Sequence, residues 1–164
     1  MARLSLPGSA EFGRFALIVG LTALAYTLAG WLSLKLATYV ADVVAALWLA
    51  AGIGAMASLR FGAAGMVGVF LGAFAINSQI LPLEVAFRFA LGAAAGAGII
   101  GTLPRYLQPF SSTLDYVSSV AKFALVAAPL GCAVSALTGV LSLYFFGDLP
   151  ADMVVRGLWV WWLG

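Results

Sequence analysis

Apolar residues in this chain fall in blocks of about twenty, broken by single charges, prolines and short polar clusters. Blocks of that length match the roughly 20 helical residues needed to cross about 30 Å of hydrocarbon, where every backbone group must bond within its own segment. The pattern predicts a first span from Phe15 to about Ala37 and a second from about Val43 to Ser58, ended by Arg60 and Gly62. A third runs from about Ala63 to Ile80, and Pro82 separates it from a fourth between Leu83 and Leu103. Pro104, Pro109 and the Ser111-Ser112-Thr113 cluster mark the longest loop, with Ser112 and Asp115 spaced to cap a lead-in helix. The fifth span is about Phe123 to Phe146, and Pro129 inside it predicts a kink or a local gap in the helix ladder. Gly147, Asp148 and Pro150 open a sixth helix. From Pro150 to Gly164 there are 15 residues, about 22 Å of helix, too short for a full crossing.

The expected fold is therefore all-α: a polytopic transmembrane bundle of five spans plus the start of a sixth. Residues 1–164 read as the N-terminal part of one integral membrane domain, the front of a longer protein whose output domain is absent. Arg3 and Arg14 ahead of a long apolar stretch look like a signal peptide, but the stretch exceeds an h-region of about 7–15 residues and reads as an uncleaved first span.

Composition agrees. Hydrophobic residues make up 64% of the chain and charged residues 9%, against about a quarter charged in a soluble domain. The net charge of +2 comes from scattered single residues with no Lys/Arg run or basic face, which argues against a nucleic-acid partner. Those charges instead report orientation. With the N-terminus cytoplasmic, Arg3, Arg14, Arg60, Arg105 and Lys122 fall inside and Lys35, Arg88 and Arg156 outside, in the sense of the positive-inside rule. Asp42, Glu84, Asp148 and Asp152 fall outside, Glu11 and Asp115 inside.

Candidate chemistry is sparse. The chain has no His, and Cys132 is its single Cys, which excludes disulfide frameworks and thiolate metal clusters. No cluster of carboxylates has acid/base spacing, so neither an enzyme nor a cofactor or metal site is expected. Small residues at helix-packing spacing are abundant: Gly65, Gly68 and Gly72 on the third helix, and Ala93, Ala97 and Gly101 beside Gly92 and Gly96 on the fourth. Gly52 and Gly139 extend this set. Such stripes pack helices within one subunit or form a homodimer face.

Glu84 and Arg88 stand four apart at the outer start of the fourth helix, the acid N-terminal, as suits both an ion pair and the helix dipole. With Trp31, Trp48, Asn77, Trp159, Trp161 and Trp162 they sit in the outer half of the bundle. Two readings are open: an interfacial aromatic belt, or a pocket open to the periplasm with apolar walls and a few polar groups that senses a ligand or signal. A shared pocket requires Asn77 to face one cavity with Trp48, Glu84 and Arg88.

The order of motifs resembles the bacterial membrane-associated sensor family, type one. The resemblance rests on Trp48 with Gly52-Ile53, Phe70-Leu71-Gly72-Ala73-Phe74 with Asn77, then Gly92, Ser135, Gly139, Gly147 and the closing Trp159-Val160-Trp161-Trp162-Leu163-Gly164. It covers about Ala46 to Gly164. Ala50 stands where the family has Pro, and Ala93 where it has Asn. The resemblance implies an integral membrane input domain of the bacterial inner membrane, joined after further helices to a cytoplasmic kinase, cyclase or phosphodiesterase module. The competing function is a small-molecule-binding membrane subunit of a transporter.

Overall fold

The computed structural model describes residues 9–37, 48–147 and 149–163, so the expected start of the second span at Val43, and Arg3, Asp42, Asp148 and Gly164, lie outside them. The chain is all-helical, with 86% helix and no strand among the described residues. Helix α1 (Ser9–Ala37) carries Glu11 in its first turn and Lys35 in its last, each matched to the dipole at its end. Leu17, Leu21, Leu24 and Leu28 stand at four- and three-residue spacing and are 57–61% exposed, which makes one face of α1 a bare leucine stripe suited to lipid. Its opposite face meets α3 and α2.

Helices α2 (Leu49–Phe61) and α3 (Ala63–Asn77) form a hairpin turned by Gly62 alone. Gly62 holds φ at +57°, the left-handed region that a side chain disfavours, and its N–H closes on the Ser58 carbonyl. Ser33 of α1 finishes the other end of α2: its Oγ accepts the Leu49 N–H at 2.9 Å while donating to the Ala29 carbonyl. α3 stops at Asn77, three residues before the expected Ile80, in a turn where the Leu81 N–H returns to the Asn77 carbonyl. Pro82 then disfavours helical backbone in the residue before it.

Helix α4 (Leu83–Tyr106) runs through Pro104, where a stop was expected. Proline in the last turn strands only the carbonyl four residues back, so the helix closes two residues later rather than ending before it. Helix α5 (Val117–Lys122) starts without the expected Ser112 cap: Tyr116 occupies the N-cap position, and Ser111, Thr113 and Asp115 bond to one another instead. A π-helical stretch, Phe123–Ala127, joins α5 to α6 (Ala128–Phe146). The wide turn just upstream of Pro129 interrupts the α-helical ladder there, the second of the two outcomes expected of that proline. After a short 3-10 turn at Ala151–Met153, α7 (Val154–Leu163) folds back along α6.

Three helical segments are long and apolar enough to cross a membrane: α1, α4 and the continuous stretch Val117–Phe146. α2 and α3, expected as full spans, are apolar but have 13 and 15 residues, about 20 and 23 Å of helix. The bundle is close-packed at glycine. A Cβ at Gly68 or Gly72 would strike Thr22 or the Ala23 carbonyl of α1, and one at Gly101 would come within 2.7 Å of the Ser58 carbonyl of α2. Gly65 abuts the Ala57 carbonyl, Gly92 meets Thr138, and Gly96 meets the Gly131 carbonyl. The small-residue stripes thus close contacts inside one chain. Gly52 departs from the expectation: nothing lies within 4 Å of its Cβ direction, and it packs no helix among the described residues.

Candidate functional site

A cavity of about 290 Å³ lies between α1, α2, α3, α4, α6 and α7. Trp48 reaches it from the start of α2, Asn77 from the end of α3 and Trp161 from α7. The antiparallel α2–α3 hairpin places Trp48 and Asn77 at the same end of the bundle, and the fold of α7 onto α6 brings Trp161 to them. Tyr26 of α1 and Phe89 of α4 complete an aromatic wall.

Contacts among the rings and with α6 hold this wall in place. Trp48 donates Nε1–H to the Tyr26 hydroxyl at 3.3 Å. The Trp161 indole fills the space left by Gly139, where a Cβ would stand 2.6 Å from Cζ2, and meets Phe89 edge-on at 4.9 Å between centroids. Gly139 therefore acts as a niche for a tryptophan, a role more specific than helix packing.

The polar groups at the cavity are uncharged. Asn77 is 8% exposed and donates Nδ2–H to the Ala73 carbonyl at 2.8 Å. A carbonyl only accepts, so this bond fixes the sense of the amide and leaves Oδ1 as an acceptor with no protein partner among the described residues. The Tyr26 oxygen accepts from Trp48, and its own O–H finds no acceptor there. Ser135 and Cys132 of α6 also line the cavity, and the Ser135 hydroxyl makes no protein hydrogen bond among the described residues. No Asp, Glu, Lys or Arg lines it. Nor do three potential metal ligands gather anywhere among the described residues.

The other expected site residues lie apart. Glu84 and Arg88 form their ion pair at 2.7 Å, but neither lines the cavity; the Arg88 guanidinium lies 3.6 Å above the Phe146 ring and ties α4 to the end of α6. Trp162 turns away to donate Nε1–H to the Pro129 carbonyl at 2.8 Å. Trp159 is 58% exposed and rests on Trp162, and Trp31 lies exposed beneath the Lys35 ammonium. The two open readings thus divide the set: Trp48, Asn77 and Trp161 share a cavity, while Trp31 and Trp159 point outward as belt residues do.

Tyr26 and Phe89 were not legible as site residues, because the sequence of a mostly apolar helix does not mark which of its aromatics turns inward. A usable signal was the spacing Gly131, Ser135, Gly139 on α6, a small and polar stripe at four-residue intervals that runs along this cavity and the Trp161 niche. Compared with known proteins, the chain matches no family model, no curated protein and no solved structure.

Proposed function

We propose that this chain is an integral membrane sensory input domain, in which an uncharged ligand occupies the aromatic cavity and the response passes to a cytoplasmic signalling module beyond α7. The observation that carries this reading is the meeting of Trp48, Asn77 and Trp161, distant in sequence, around one cavity with unpartnered Asn77, Tyr26 and Ser135 groups. An apolar enclosure with a few convergent polar groups is the usual form of a small-molecule site. The resemblance of the same residues to the type-one membrane-associated sensors supports a signalling role over catalysis.

The same reading holds α2 and α3 as short second and third spans, giving five in the bacterial inner membrane with the N-terminus cytoplasmic. Arg14, Arg60 and Arg105 support that orientation, because folding collects them at one end of the bundle. A transporter subunit would use the same cavity, and the two functions part on output. Joined to a diguanylate cyclase module, an Asn77→Leu variant at normal membrane level is expected to lose its signal response. Removing a buried amide that a ligand pairs with costs about 1–3 kcal/mol, enough to bias a balanced two-state bundle. An unchanged response would overturn the cavity's role in sensing.

A further inference from the structure

Arg14, Arg60 and Arg105 line one surface pocket, where α1 begins, α2 turns into α3 and α4 ends. Three separate segments of chain deliver these guanidinium groups to one place, and no carboxylate holds any of them: the single ion pair among the described residues is Glu84–Arg88, elsewhere in the bundle. Glu11 lines the same pocket and forms no ion pair among the described residues. Like charges brought together at a surface attract an anion.

The rest of the lining says which kind. Phe15, Ile18 and Phe61 border the arginines, and Phe15 and Phe61 are 41% and 45% exposed. A planar guanidinium fork matches phosphate oxygens, and an apolar wall beside it matches an acyl chain. Free phosphate would engage the arginines and leave the phenylalanines bare.

We propose that this pocket binds the headgroup of an anionic phospholipid, with its chains along Phe15 and Phe61. Basic pockets between membrane helices hold such headgroups by charge and geometry together. The site is separate from the aromatic cavity and stands whether or not the chain is a sensor.

The test uses the full 164-residue chain in neutral detergent, with retention of added dioleoylphosphatidylglycerol and dioleoylphosphatidylcholine counted by native mass spectrometry. The phosphatidylglycerol is expected to be retained preferentially, and the Arg60→Gln/Arg105→Gln double variant to lose affinity for it by about thirtyfold, roughly fivefold for each arginine. Lys35→Gln, at the other end of α1, should change nothing. An Arg60→Lys/Arg105→Lys variant keeps the charge without the fork and should fall between. Should the double variant not fold, Arg14→Gln on the exposed start of α1 carries the test, with about a fivefold loss expected. Equal retention of the two lipids, or undiminished phosphatidylglycerol binding in these variants, would overturn the proposal. Displacement of the lipid by millimolar inorganic phosphate would overturn the lipid assignment in favour of a free anion.

Discussion

Gly96 and Gly131 are where α4 and α6 touch backbone to backbone. A Cβ built on Gly96 would stand 2.5 Å from the Gly131 carbonyl oxygen, and one on Gly131 would stand 2.6 Å from the Gly96 oxygen. Both are roughly 1 Å inside van der Waals contact, and the obstacle is backbone, which cannot rotate aside. Gly96→Ala must therefore push two long helices apart along their closest approach. Overpacking of this kind costs about 1–3 kcal/mol.

The measurement needs a reference, because alanine also favours helix over glycine by about 1 kcal/mol wherever it is placed. Gly52→Ala supplies it, since that glycine is also helical and has nothing within 4 Å. The propensity gain then cancels between the two variants, and the difference between them isolates the clash. In a domain of this size each kcal/mol moves the midpoint by about 2–4 °C, so Gly96→Ala should melt roughly 2–12 °C below Gly52→Ala when unfolding is followed in detergent by circular dichroism. Equal midpoints, or a Gly96→Ala variant the more stable of the two, would refute the close approach of α4 and α6.

Trp162→Phe removes the bond to the Pro129 carbonyl and should destabilise the chain by about 0.5–1.5 kcal/mol without weakening cavity binding; a matching loss of ligand affinity would show that α7 is misassigned. In a Cys132→Ala background, a cysteine at Ser111 is expected to resist impermeant periplasmic reagents in intact cells, as the proposed orientation requires. Labelling there would reverse the bundle.

The sequence resolved those features that depend on neighbours three and four residues apart. Glu84 and Arg88 meet as their spacing demands, and Gly68 and Gly72 pack together on α1 because residues at that interval share a helix face. It resolved less where the outcome depends on which face turns inward. In a helix that is apolar all round, hydrophobic periodicity carries no such information, so Tyr26 at the cavity and Leu24 at the exterior are indistinguishable as text. Glu84 and Arg88 illustrate the same limit at the site. The Arg88 guanidinium lies over the Phe146 ring, and neither residue lines the cavity that Asn77 borders. Pro104 shows a different failure: proline was read as a stop, yet so close to a helix end it removes almost nothing that the helix needs.

Trp161 is the element through which an occupied cavity would act on the rest of the bundle in the proposed sensor. A ligand shifts an equilibrium only if it binds two arrangements unequally, so something at the cavity must have two positions. The Trp161 ring is wedged in the Gly139 niche on one side and borders the cavity on the other. A ligand that needs more room than the empty cavity gives must displace that ring, and a ring leaving the niche carries α7 away from α6. Trp162 resists this through its bond to the Pro129 carbonyl, two residues beyond the π-helical stretch at Phe123–Ala127. That stretch is a wide turn within the helical segment that holds α7, and such π-helical turns are frequent at functional sites. The cavity, the niche and the wide turn are thus contiguous from the aromatic site to the last helix, the arrangement that coupling in the proposed sensor requires.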